Sequence, residues 1–418
     1  MKNVLNYGII IGFILITGVF TPINAQNALG CDGQRYVVDR FPDTTLTTVQ
    51  YGSNTNAVPQ VQALYVDIVQ PKNDTLSKRP LIIWAFGGGF ISGTRQTMRE
   101  FCNTYAKKGY VCATIDYRLY SGNQGFVDSI KMARIIVQAL QDMKASVRFF
   151  RKSAANGNPY KVDVNNIIVG GVSAGAITAM NVAQMDSTDP IAPWLRNVIT
   201  AEGGFEGNSG NAGYSSAVKG CISMSGALYR KEYLDTGDVP FASYHGTVDN
   251  IVPYDYGFNV YGFTTDGSAA CHRRAFQLGI QSILVTANGG GHTDIYPPNT
   301  TYAADFATWI IKATTFMKRL VCGEPSVATQ EVDNQEITLY PNPSSDQISL
   351  KIEKNTEGGA VEICIFDALG RMVFCMKNDA LEPIVLNKTD VGGAGIYIVK
   401  CTFESTNKTV VKKINFSE

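Results

Sequence analysis

Leu81 to Phe86 is an unbroken apolar run between Pro80 and Gly87, the pattern of a strand buried on both faces. Val111–Ile115 and Asn166–Val169 read the same way, and Val218–Met224, Phe241–Tyr244 and Ser282–Thr286 are further strands. Between the second and third runs, Met132, Ile136, Leu140, Met143, Val147 and Phe150 recur every three or four residues. That spacing predicts an amphipathic helix, with Lys131, Arg134, Gln138, Gln141 and Arg148 on its other face. Strands alternating with helices imply a mostly parallel sheet flanked by helices, an α/β fold, over residues 26–322.

The pattern changes after Cys322. Residues 323–336 are polar and read as a linker. Ile348–Ile352, Val361–Phe366, Met372–Phe374, Ile396–Thr402 and Thr409–Ile414 then alternate with period two and have no helix between them. Asp367-Ala368-Leu369-Gly370 is a tight hairpin turn, and residues 337–418 are expected to form a small all-β sandwich. At the other end, Lys2, the apolar run Tyr7–Phe20 and Pro22-Ile23-Asn24-Ala25 make residues 1–25 an expected signal peptide. Its apolar run is too short for a membrane anchor, which needs about 20 residues. No integral membrane segment is expected in the mature form.

Composition narrows the function. The 418 residues include 36 basic and 36 acidic side chains, a balance that argues against a nucleic-acid partner. Nine cysteines without a C-x-x-C pair argue against a structural zinc site, and no metal or cofactor is expected. Only three histidines occur, His245, His272 and His292, so any histidine-dependent chemistry has three candidates.

Gly171-Val172-Ser173-Ala174-Gly175 follows the strand Ile167-Ile168-Val169 and opens a helical pattern. G-x-S-x-G between strand and helix is a nucleophile elbow, whose sharp turn needs small neighbours and whose helix start presents N–H groups to a developing oxyanion. The elbow's partners follow in the order acid, then histidine. His245 precedes the acid candidates, and His272 sits beside Arg273 and Arg274, whose charge disfavours an imidazolium. His292, in a glycine-rich loop after the last strand, is the expected base. Asp249 is the first carboxylate after the Phe241–Tyr244 strand and the expected acid; Asp255 and Asp294 are the alternatives, with Asp294 also suited to capping the loop. Phe86-Gly87-Gly88-Gly89-Phe90 lacks the Walker and dinucleotide patterns and reads as an oxyanion loop.

With Asp116-Tyr117-Arg118-Leu119 added, these residues resemble the α/β-hydrolase fold, in its carboxylesterase and hormone-sensitive-lipase-like branch, over roughly residues 60–315. The resemblance implies Ser173, Asp249 and His292 as a catalytic triad, backbone amides of Gly88, Gly89 and Ala174 as oxyanion donors, and an ester substrate. Phe86 stands where that family usually has a loop-supporting histidine. His245-Gly-Thr-x-Asp-x-x-Val-Pro253 also resembles exported feruloyl esterases and polyhydroxyalkanoate depolymerases. Leu339-Tyr-Pro-Asn-Pro343, Phe366–Arg371, Gly395–Val399 and Lys412-Lys413-Ile414 resemble the sorting domain of the Bacteroidetes type IX secretion system. That resemblance implies the type IX machinery as a partner and a secreted or cell-surface location.

The expectation is therefore a secreted serine carboxylic-ester hydrolase working through an acyl-enzyme. The alternatives are a feruloyl, acetyl-xylan or polyester-type esterase on a polymer, a serine peptidase, and an inactive surface adhesion protein. Three smaller expectations accompany it. Export favours a disulfide between Cys31 and Cys322, which bracket the catalytic region. The glycine-rich stretch 203–213, within 185–216, is a candidate lid, where Glu206 could meet substrate. Tyr254, Tyr256 and Phe258 are candidate pocket-lining residues.

Overall fold

The computed structural model describes residues 29–417 apart from 124–127, 261, 297–298, 324–336, 353–359, 368–370, 379–382 and 404–407. The expected leader 1–25, the linker beyond Gly323 and part of the 367–370 turn lie outside the described residues.

Two separate apolar cores are present, one drawn from Tyr36 to Cys322 and one from Ile337 to Phe416. In the first unit the strands are β1 (Thr44–Thr55), β2 (Val61–Pro71), β3 (Arg79–Ala85), β4 (Val111–Ile115), β5 (Val162–Val172), β6 (Gly220–Met224), β7 (Ala227–Leu228), β8 (Phe241–Gly246), β9 (Tyr256–Phe258), β10 (Thr264–Gly267) and β11 (Ser282–Ala287). The main sheet runs β1-β2-β4-β3-β5-β6-β8-β11. From β4 to β11 every pairing is parallel, while β1 and β2 extend the sheet antiparallel. The β1–β2 pair escapes the sequence pattern because β1 is mostly exposed, with only Tyr51 buried.

The helices are α1 (Arg99–Lys107), α2 (Ser129–Ala155), α3 (Ala174–Gln184), α4 (Pro193–Ala201), α5 (Ser268–Leu278) and α6 (Ala303–Cys322). Asp128 caps α2 by accepting the Lys131 N–H at 2.7 Å. Met132, Leu140, Met143, Val147 and Phe150 of the apolar stripe are buried, each stabilising the fold by about 1.5–3 kcal/mol. Much of the polar face is covered too, though Lys131 and Arg134 stay partly exposed. Gln138, Gln141 and Arg148 are buried: Gln138 donates to Glu202 at 2.8 Å, and the glycine-rich stretch lies over the other two, Gln141 Nε2 donating to the Gly204 carbonyl at 2.7 Å and Arg148 to Gly210 at 3.0 Å. Arg118, also buried, binds Asp142 at 2.9 Å and the Thr55 and Gln138 carbonyls at 3.0 Å, joining β1, α2 and the segment after β4.

The second unit is all β. Its strands β12 (Ile337–Tyr340), β13 (Gln347–Ile352), β14 (Val361–Phe366), β15 (Met372–Asn378), β16 (Ile384–Asn387), β17 (Gly395–Phe403) and β18 (Lys408–Phe416) form antiparallel sheets ordered β12-β13-β16 and β15-β14-β17-β18. Alternate residues Ile348, Leu350 and Ile352 face the core.

Cys31 is bonded to Cys322, and Cys364 to Cys375 across β14 and β15. Cys102, Cys112, Cys221, Cys271 and Cys401 are unpaired and buried. No helix among the described residues is long and apolar enough to cross a membrane.

Candidate active site

The elbow is built by close approach. β5 delivers Ser173 at φ 54° and ψ −121°, a conformation rare for a residue with a side chain. A Cβ on Gly171 would lie 2.3 Å from the Gly175 backbone, and one on Gly175 would lie 2.2 Å from the Ala85 carbonyl oxygen. Both positions therefore require glycine. Ser173 donates its N–H to Met224 at 2.8 Å and accepts from Ile177 at 2.9 Å, so the backbone is fixed on both sides. Its hydroxyl makes no cap bond to α3. Instead it meets His292: Nε2 lies 2.8 Å from Ser173 Oγ.

His292 comes from the loop after β11, which pairs in parallel with β8 so that Thr286 lies beside His245 and Ala287 beside Gly246. A Cβ on Gly246 would lie 2.3 Å from the Gly290 and Gly291 carbonyl oxygens, so only glycine lets the loop settle there. The Val248 N–H donates to Gly290 at 3.0 Å. Within the loop Gly291 donates to Asp294 Oδ1 at 2.8 Å, so Asp294 is a loop cap.

Asp249 lies 2.6 Å from His292 Nδ1 through Oδ2. Its Oδ1 accepts the Ile251 and Val252 N–H groups, each at 2.9 Å. Burial pushes its pKa up, but hydrogen bonds from His245 and His292, the His292 charge and the Val252 amide outweigh this and hold the carboxyl below the usual range. Asp255 is elsewhere, ion-paired with Arg273.

The oxyanion loop candidate follows β3. Gly88 has φ 126°, and a Cβ there would lie 2.1 Å from the Ser92 carbonyl oxygen. Phe86 is buried and stacks on Tyr117 at 4.4 Å, while the Tyr117 hydroxyl donates to the Phe86 carbonyl at 2.8 Å. Tyr117 thus braces the loop at the position where the resembled family has a histidine. Ala174 opens α3, so its N–H has no acceptor within the helix.

Gly89, Ser173 and Ala174 border one cleft of about 910 Å³, open mouth included. Its walls are largely apolar: Ile136 and Leu140 of α2, Ile177 of α3, Trp194 of α4, Leu228 and Phe263. No charged side chain lines it among the described residues.

Several sequence expectations change here. Tyr256 and Phe258 are 59% and 73% exposed on β9, and neither they nor Tyr254 line the cleft; Ile251, Val252, Asn259 and Phe263 of the same segment do. Strand alternation explains the error, because Gly257 lies opposite the cleft-lining Thr265. The 203–213 stretch is bound to α2 and contributes nothing to the cleft, whereas Met185, Trp194 and Leu195 of the same region do. Glu206 pairs with Arg148 at 2.6 Å and Lys144 at 3.3 Å, away from the cleft. His272 packs on Phe241 at 4.6 Å, and burial takes its pKa down to about 3. The neighbouring guanidiniums are not the cause, since Arg273 is turned to Asp255 and Arg274 to the Leu234 carbonyl. The residue sequence reasoning missed is His245, fully buried beside Asp249; its place in the His-Gly-Thr-x-Asp stretch was the available signal.

The BD-FAE family model matches residues 66–228, which carry the oxyanion loop, the elbow and the strands between them. The first unit has the α/β-hydrolase fold. Residues 338–416 match the model of a secretion system C-terminal sorting domain. The α/β-hydrolase unit is similar to gut esterase 1 of Caenorhabditis briggsae, 27% identical over 147 residues, which is 34% of this chain and 25% of that one. It is also similar to the para-nitrobenzyl esterase of Bacillus subtilis, 32% identical over 127 residues, 29% of this chain and 25% of that one. The chain thus spans about a quarter of the length of these curated relatives. Among solved structures, the propionate-bound esterase 2 of Thermogutta terrifontis is 21% identical with a TM-score of 0.48, covering 68% of this chain and 97% of that one.

Proposed function

We propose that this protein, with its α/β-hydrolase fold, is an exported serine hydrolase of carboxylic esters. One observation carries the reading: Ser173 Oγ, His292 and Asp249 form a continuous hydrogen-bonded chain at the edge of the cleft. Ser173 Oγ attacks the ester carbonyl carbon as its proton passes to His292 Nε2. Asp249 stays ionised and stabilises the imidazolium through Nδ1. The N–H groups of Gly88, Gly89 and Ala174 receive the oxyanion, each worth about 10²–10³ in rate. Collapse of the tetrahedral intermediate expels the alcohol, which takes the proton from His292. Water, activated by the same imidazole, then releases the acid from the acyl-serine.

The uncharged cleft suits a neutral, largely apolar part of the substrate, because a charge there would lose its hydration without gaining a partner. That the curated relatives are named as esterases supports the ester over the peptide bond. Residues 1–25 would direct export across the inner membrane, and residues 337–418 would then engage the type IX machinery for release or surface attachment.

A short-chain nitrophenyl ester assay on wild type and Ser173→Ala tests the reading. Hydrolysis by the wild type with background rates for the variant is expected. Equal rates for both would overturn it. Feruloyl, acetylated-sugar, polyester and peptide substrates assayed beside it rank the alternatives.

A further inference from the structure

His245 ends β8 with no exposed surface, yet both ring nitrogens are engaged. Nε2 lies 3.1 Å from Asp249 Oδ2 and 3.0 Å from the Val252 carbonyl oxygen. Nδ1 lies 2.9 Å from Ser268 Oγ, in the first turn of α5. Two oxygens without hydrogens face Nε2, so that nitrogen carries the proton. In the neutral ring Nδ1 is then an acceptor, and the Ser268 hydroxyl donates to it. Tyr254 stands edge-on to the ring at 5.7 Å. Asp249 in turn meets His292, and its charge acts on Tyr296.

The Oδ2 atom that His292 uses is therefore shared. It receives His292 Nδ1 from one side and His245 Nε2 from the other, while Oδ1 is held by two backbone amides. We infer that His245 is a positioning residue for the reaction: by donating Nε2–H it fixes Asp249 Oδ2 on His292, and Ser268 fixes the tautomer that lets it do so. The inference rests on the ester-hydrolase reading. It extends the chain of three groups to five, Ser268, His245, Asp249, His292 and Ser173. A leucine or phenylalanine would fill the same buried space at lower desolvation cost, so the imidazole's two hydrogen bonds are what distinguish it from packing.

The test compares full-length wild type, His245→Gln, His245→Leu and Ser268→Ala on a soluble short-chain nitrophenyl ester, with kcat and KM separated and folding checked by thermal melting. Gln keeps an N–H donor on that side of the carboxylate, whereas Leu keeps only bulk. His245→Leu is expected to lose about 10- to 100-fold in kcat with KM within about twofold, the cost of a slightly misplaced base. His245→Gln is expected to recover most of that loss, and Ser268→Ala to lose a few-fold in kcat. A folded His245→Leu with wild-type kcat, or Leu and Gln variants that fall equally, would overturn the inference. If His245→Leu does not fold, Ser268→Ala decides: wild-type kcat for that variant overturns the relay, and a selective fall in kcat supports it. Wild-type activity that needs Ser173 but ignores His245 sinks only this inference. Activity indifferent to Ser173 sinks the underlying reading.

Discussion

The two halves of the candidate site are held in place by different means. On the nucleophile side, the geometry of Ser173 follows mainly from a short segment: Gly171 and Gly175 allow the close approach of strand and helix, the Ile177 N–H closes the turn, and one further bond ties Ser173 to Met224 of β6. On the acid–base side, the Gly291–Asp294 bond shapes the loop locally but does not by itself aim His292 at Ser173. The position of His292 depends on the parallel pairing of β8 with β11, on Gly246 lying under the loop, and on a carboxylate 43 residues earlier. One half rests mainly on local sterics and the other mainly on tertiary structure.

This difference explains what the sequence could disclose. The elbow was legible because a glycine pattern maps directly onto a backbone requirement. The buried strands around it were legible because they are apolar on both faces. His292 and Asp249 can be reached only through chain order; the same order excludes His245 as the base but is silent on its other role, because its partner Ser268 meets it only once β8 packs against α5. The helical pattern of α2 was readable, but not that its polar face would be covered, since the 203–213 stretch that covers it has no hydrophobic signal. In the second unit, alternation in β13 and β17 was plain because each has one buried face.

The sharpest way to separate the halves is to disable one without moving the other. Asp249→Asn keeps shape but favours the wrong His292 tautomer, so kcat/KM on a short-chain ester is expected to fall by about 10⁴, with the melting temperature lowered only modestly. A fall below tenfold would show that the acid–base half does not depend on this carboxylate.

Next in size is the covalent tie around the whole unit. Cys31 and Cys322 are 291 residues apart, and their bond limits the unfolded chain. Replacing both with Ser is expected to destabilise the first unit by about 2–4 kcal/mol, with kcat unchanged in the folded protein. Denaturant titration checks the first and ester hydrolysis the second. A change in kcat at full folding would mean that the tie also positions the site.

The smallest expected effect concerns a buried carboxylate that does not line the cleft. Asp189, just before α4, is buried, and this, with help from Asp186, Asp235 and Asp238, raises its pKa to about 7 against the lowering hydrogen bond from Asp186. The folded state therefore binds this proton more tightly than the unfolded chain does. Its stabilisation is complete below about pH 4 and is lost as pH rises through 7. Asp189→Asn is expected to flatten the decline in melting temperature between pH 5 and pH 8. Parallel declines in variant and wild type would contradict the assignment.

The central claim, that His292 activates Ser173, is tested most directly by covalent labelling. Wild type and His292→Ala are treated with a fluorophosphonate, and the modified peptide is located by mass spectrometry. A single adduct on Ser173 in the wild type, forming orders of magnitude more slowly in the variant, is the predicted result. An adduct on another serine, or equal labelling rates in the two proteins, would contradict it.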